Sequence, residues 1–199
     1  MFIKDLARKK HFAKNAFIYK TGMRVQALYA LRRGVAKIYD SQQVLQGIIF
    51  PGQVFGADEL FSELHQYSVQ AATDIELCEL QNAHFYHLSQ ITSDFTNFII
   101  NILSRSVSEK QQFISVLVNG DGLQKVSNFI KLMIYINEEY GFRHDLLELP
   151  LNKKELAQLL GISPSTLSRA LDTLESRNKV IVNNKEIIVL EENMDISEC

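Results

Sequence analysis

Between residues 11 and 80 the chain alternates short apolar runs with turns. The runs are Phe17-Ile18-Tyr19, Ala27 to Leu31, Val35 to Tyr39, Val44 to Phe50, Val54-Phe55, Tyr67 to Thr73 and Ile75 to Leu80. Gly22, Gly34, Pro51-Gly52, Gly56 and Asp74 punctuate them. β-branched and aromatic runs bounded by turn signals at roughly 8–12-residue intervals predict an all-β sandwich or barrel. From Ser93 to Val118 the period changes to three and four, through Phe95, Phe98, Ile99, Ile102, Leu103, Ser106, Phe113, Ile114 and Leu117, with neither Gly nor Pro. That pattern predicts one helix about 38 Å long with a narrow apolar seam. Such a helix outruns the core of a small β-domain. A second copy of the chain is therefore the expected partner for Phe95, Ile99, Ile102, Ser106, Phe113 and Leu117. A C-terminal domain folded over the seam is the competing reading.

Asn119-Gly120-Asp121-Gly122 ends this helix, which predicts a β-domain over 1–92, the long helix over 93–119 and a C-terminal domain over 120–199. Val126 to Tyr140 reads as an amphipathic helix closed by Gly141, and Asp145 to Leu151 as extended chain. Asn152 and Glu155 have capping-box spacing, and Leu156, Leu159 and Leu160 give the helix they start one apolar face. Gly161 suits a left-handed residue at its end. Ser163 then caps a second helix that begins at Pro164 and turns Leu167, Leu171 and Leu174 inward. This is a helix–turn–helix, and the hairpin expected from Val180-Ile181-Val182 and Glu186 to Leu190 around Asn183-Asn184 makes it a winged one. A hairpin of helices that merely packs is the bland alternative. Against it stand the small polar residues Ser163-Pro164-Ser165-Thr166, Arg169 one turn in, and Lys185 at the tip of the wing. These favour DNA.

Composition narrows the class. The 199 residues are 46% apolar and 22% charged, as in a soluble globular protein. No apolar run approaches the roughly 18 residues that span a bilayer. The basic N-terminus lacks the apolar core of a signal peptide, so a cytoplasmic location without membrane association is expected. Cys78 and Cys199 are too few for a disulfide framework or a cysteine metal site. The net charge of −2 hides a split. Residues 1–40 carry ten Lys/Arg against two acids, and 152–185 carry six against three. Phosphate affinity follows the local face rather than the mean.

Leu28 to Tyr39, Phe50-Pro51-Gly52-Gln53-Val54-Phe55-Gly56, Ser104 to Gln111 and the helix–turn–helix resemble the CRP/FNR family of bacterial transcription regulators, over nearly the whole chain. The resemblance implies an α+β fold: an N-terminal β-roll (a double-stranded β-helix like that of cyclic-nucleotide-binding domains), a long dimerisation helix and a C-terminal winged helix–turn–helix. It implies a homodimer on palindromic double-stranded DNA, contact with RNA polymerase and no enzymatic activity. Arg169 matches the family's recognition-helix arginine, and Ser168 matches the serine beside it in the FNR branch. With Ser165, where familiar members carry Glu, and Thr166, they are the expected base-reading residues. Lys153, Ser163 and Lys185, with the N-terminus of the first motif helix, are the expected phosphate contacts.

The signal is where the chain departs from its likeness. Cyclic-nucleotide-binding members carry Gly-Glu and Arg-Ser in the roll and Thr-Ser on the long helix; here stand Gly56-Ala57, Tyr67-Ser68 and Val107-Ser108. Ala57, Tyr67, Ser68 and Val107 are thus candidate effector-pocket residues without the guanidinium that a cyclic phosphate wants. The effector, if any, is expected not to be cyclic AMP. Ala57-Asp58-Glu59-Leu60 and Ala71 to Leu80 resemble the FNR stretch around an internal cluster ligand. One thiolate, Cys78, falls short of the roughly four that a [4Fe–4S] cluster takes. Cys78 is read as a small buried strand residue, and no cofactor or metal is predicted. A redox or nitrosative role for Cys78, haem on His65, His84 or His87, and a ligand-binding module that has lost DNA binding are the alternatives.

Overall fold

A computed structural model describes residues 7–83, 93–183 and 186–190. The chain divides into two compact units between Ser108 and Glu109, inside the long helix.

The first unit holds two antiparallel four-stranded sheets. One has the order β1-β8-β3-β6, from Arg8–Phe12, Ile75–Gln81, Ala27–Arg33 and Val54–Phe55. The other has the order β2-β7-β4-β5, from Phe17–Tyr19, Ser68–Ala71, Ala36–Tyr39 and Leu45–Ile49. Alternation along the strands sends one row inward from each sheet. Tyr29, Leu31, Phe55, Ile75 and Leu77 from the first meet Tyr19, Ala36, Ile49, Val69 and Ala71 from the second in one core. Seven of these strands coincide with the apolar runs of the sequence. β1 does not: Arg8-Lys9-Lys10-His11 is exposed and has no apolar alternation. It is an edge strand paired with β8, and Lys10 Nζ lies 3.0 Å from Glu79 Oε2. Lysines on an edge discourage further strand pairing.

Helix α1 runs over Ser93–Val118, as its period predicts. In the second unit, α2 spans Gly122–Glu139, α3 Lys153–Leu159 and α4 Pro164–Ser176. α2 begins four residues before the expected Val126, because Asp121 and Gln124 form a capping box that puts Gly122 inside the helix. Its Val126, Phe129, Ile130, Met133 and Ile136 are buried, as are Leu156 and Leu159 of α3 and Leu167, Leu171 and Leu174 of α4, and α4 packs against both α2 and α3. The edge of Phe113 meets Phe129 with ring centroids 6.3 Å apart. Strands β9 (Leu146–Glu148), β10 (Val180–Asn183) and β11 (Glu186–Val189) make an antiparallel sheet in the order β10-β11-β9. No helix among the described residues is long and apolar enough to cross a membrane.

Candidate nucleic-acid interface and sensor site

The turn between α3 and α4 is built as its residues dictate. Asn152 Oδ1 accepts from Glu155 N at 2.9 Å, and Glu155 Oε2 accepts from Asn152 N at 2.9 Å. Leu160 caps α3, and Gly161 follows with φ +63°, a left-handed conformation that costs glycine little. Ile162, half-buried, donates its N–H to Ala157 O at 3.0 Å. Ser163 Oγ accepts from Thr166 N at 3.0 Å, and Pro164 sits at N1, where no N–H is missed.

The cap also settles which hydroxyls are free. Ser163 Oγ lies 2.8 Å from both Ser165 Oγ and Thr166 Oγ1. Thr166 is half-buried, and a Cβ added to Gly122 would collide with its methyl group. Its hydroxyl is tied to the cap and its methyl to the start of α2, so Thr166 positions α4 rather than facing outward. Ser168 is half-buried, whereas Ser165 and Arg169 are exposed. Arg169 Nε makes a 3.4 Å hydrogen bond to Ser165 O, and its terminal nitrogens have no hydrogen-bond partner among the described residues. Asp172, which the sequence reading passed over, is exposed on the same helix. Its seven-residue spacing from Ser165 was the available signal.

Among the expected phosphate contacts, Lys153 is exposed at the first turn of α3. The Ser163 hydroxyl is engaged in its cap, and the carboxylate of Glu155 already occupies the N-terminus of α3. Lys185 lies outside the described residues. Glu175 Oε1 accepts from Val182 N at 2.8 Å and ties α4 to the wing.

In the first unit the four candidate pocket residues do not share one environment. Ala57 and Ser68 are buried, while Tyr67 is 40% and Val107 54% exposed. Ser68 Oγ accepts from Thr21 N at 3.0 Å, so it is occupied from within the chain. The interior instead holds a polar cluster absent from the sequence reading. Glu59 and His65 are both buried, with Oε2 2.6 Å from Nδ1. The second carboxylate oxygen of Glu59 accepts from Gln66 N. The His65 ring stacks on Tyr19 at 3.7 Å and 9°. Tyr29 and Phe55 continue this aromatic group, 5.2 Å apart. Burial, and then the negative charges of Glu59 and Asp58, push the Tyr19 hydroxyl far above its ordinary range. Burial and Glu79 push Tyr29 up to about 12.

Cys78 is half-buried rather than buried, on β8 between Lys9 of β1 and Ala30 of β3. No group of three or more His, Cys, Asp or Glu able to hold a metal occurs among the described residues, and a single thiolate does not fit an iron–sulfur cluster. His84, His87 and Cys199 lie outside the described residues. On α1, Phe95 is buried, and Ile99, Ile102, Ser106, Phe113 and Leu117 are half-buried within the single chain. The strongly exposed apolar residues are Ile100 (57%), Val107 (54%), Ile114 (55%) and Val118 (70%).

Residues 9–91 match the cyclic nucleotide-binding domain family, and residues 124–194 match the Crp-like helix-turn-helix domain family. The order of these two matches on one chain decides the assignment. The chain belongs to the CRP/FNR family. It is 24% identical over 190 residues to electron transport regulator A of Shewanella oneidensis, covering 94% of this chain and 76% of that one. It is 23% identical over 188 residues to the fumarate and nitrate reduction regulatory protein of Yersinia pestis, covering 92% and 75%. FixK2 from Bradyrhizobium japonicum has the same fold, with a TM-score of 0.79 at 17% identity and 93% of each chain covered. This CRP/FNR chain is a DNA-binding regulator rather than an enzyme, and its β-roll and winged helix–turn–helix are the family's two parts.

Proposed function

We propose that the protein is a homodimeric transcription regulator whose two α4 helices enter successive major grooves of a palindrome, about 34 Å apart. The observation that carries this is the capped start of α4, where Ser165 and Arg169 are exposed beside the fixed Thr166. Arg169 takes guanine O6 and N7 through its planar fork, a contact worth roughly 1–3 kcal/mol of discrimination. Ser165 and Ser168 donate to or accept from the neighbouring pair, and Lys153 with Lys185 hold phosphates and set register. RNA polymerase is the further partner.

The dimer contact is assigned to the outer stripe of α1. Ile100, Val107 and Ile114 are seven residues apart, the spacing of a coiled-coil seam, and Val118 extends the stripe. This replaces the seam expected from periodicity, whose side chains are at least half-covered by their own chain.

The roll is read as a sensor that does not take cyclic AMP. Tyr67 offers no cation to a cyclic phosphate, and the roll's core contains its own Tyr19–His65 stack and the Glu59 carboxylate. Regulation follows when a signal favours one arrangement of the two α1 helices over another. No resident cofactor is invoked.

The test is binding of the full chain to palindromic and half-site DNA over a range of salt concentrations. The reading expects two chains per palindrome and affinity that falls steeply with salt, as phosphate contacts release counterions. Val107→Glu should abolish the pair and weaken binding to the palindrome. A monomer on DNA, or affinity insensitive to salt, would contradict it.

A further inference from the structure

Three acids lie between residues 152 and 185, and two of them are committed. Glu155 closes the capping box of α3, and Glu175 holds the wing through Val182 N. Asp172 is exposed in the middle of α4, with no hydrogen-bond or ion-pair partner among the described residues. At about 100° per residue, Asp172 lies within about 20° of Ser165 around the helix axis and about 60° from Arg169. It therefore shares the outward face assigned to DNA. The other polar groups on or beside this face are largely spent. Ser165 Oγ is bonded to Ser163, Thr173 Oγ1 donates to Arg169 O at 2.7 Å, and Ser176 Oγ donates to Thr173 O at 2.9 Å. Beside the half-buried Ser168 hydroxyl, what remains uncommitted is the outer end of one charged donor fork, Arg169, and one charged acceptor, Asp172.

We propose that Asp172 is a second specificity-determining residue of α4, accepting a hydrogen bond from a cytosine amino group beside the guanine taken by Arg169. This rests on the DNA-reading role of α4 given above. An ionised carboxylate only accepts. In the major groove guanine turns N7 and O6 toward it and thymine turns O4, all acceptors that repel it. Adenine offers N6 but carries the N7 acceptor on the same edge, whereas cytosine offers N4 with no acceptor on its own major-groove edge. Cytosine is the base that fits. The same charge repels phosphate when the helix sits out of register, so Asp172 discriminates by opposing wrong sites as well as by joining the right one.

The experiment is selection of palindromes from DNA with randomised half-sites by the full chain and by its Asp172→Ala and Asp172→Asn variants. The unaltered chain should fix cytosine next to the Arg169 guanine. Asp172→Ala should keep the guanine and lose the cytosine preference about tenfold, and Asp172→Asn should move that position to adenine, which an amide can grip at N6 and N7. An Asp172→Ala pool with the unaltered consensus, and tighter binding to all DNA alike, would leave Asp172 a bulk charge and overturn the proposal. Failure of the unaltered chain to enrich any DNA would instead overturn the role of α4, and that of Asp172 with it.

Discussion

Glu59 and His65 stand six residues apart on the loop between β6 and β7, and their side chains meet at 2.6 Å with 6% and 1% of their surfaces exposed. A carboxylate taken out of water is stable only with its hydrogen bonds complete. Here Oε2 faces Nδ1 and Oε1 accepts from Gln66 N, while the imidazole is clamped on Tyr19 of β2. His65→Ala strands the Glu59 carboxylate, which should cost about 3–5 kcal/mol. Glu59→Gln keeps the shape and should cost less. Urea unfolding of the two variants checks this; an unchanged midpoint for His65→Ala would show that the pair does not brace the roll.

The tyrosines set the alkaline limit. Folded Tyr29 has its hydroxyl pushed up to about 12 by burial and Glu79, and Tyr19 is raised further, by burial first and Glu59 next. An unfolded tyrosine ionises near pH 10. A group whose folded value lies above its unfolded one contributes stability that is full below about pH 10 and lost as pH rises through the folded value. Tyrosinate absorbance should therefore show Tyr19 and Tyr29 ionising last, together with loss of the fold. Tyr29→Phe should flatten part of that dependence. Ionisation of all seven tyrosines near pH 10 with the fold intact would contradict the burial argument.

The seating of α4 depends on two small features. Ser163→Ala removes the cap oxygen and should cost about 1 kcal/mol. Gly122→Ala drives a methyl into that of Thr166, which should cost about 1–3 kcal/mol and shift the start of α4. Urea midpoints measure both. A Gly122→Ala chain as stable as the parent would mean that Thr166 does not seat the helix.

Much of this architecture is legible in local pattern. Turn residues divide the strands, Asn152 and Glu155 announce α3, and Ser163-Pro164 announces α4, because each signal is complete within a few residues. What escaped depends on distant partners. β1 forms because β8 supplies an edge, although Arg8-Lys9-Lys10-His11 has no strand pattern of its own. The burial of His65 needs Tyr19, far away in sequence, and the inward set of Thr166 needs Gly122. Periodicity found α1 but could not tell which of its two apolar stripes its own chain covers. Phe113 faces Phe129, while Val107 stays exposed. Asp172 escaped for another reason: an acid on a helix that must approach polyanionic DNA reads at first as surface.

The central claim is that Arg169 reads a base rather than merely attracting the duplex, and Arg169→Ala tests it most directly. Its affinity for a selected palindrome should fall by about 1–3 kcal/mol per half-site, with little change on a scrambled duplex at the same salt. Equal loss on both DNAs would make Arg169 a phosphate contact and contradict the account.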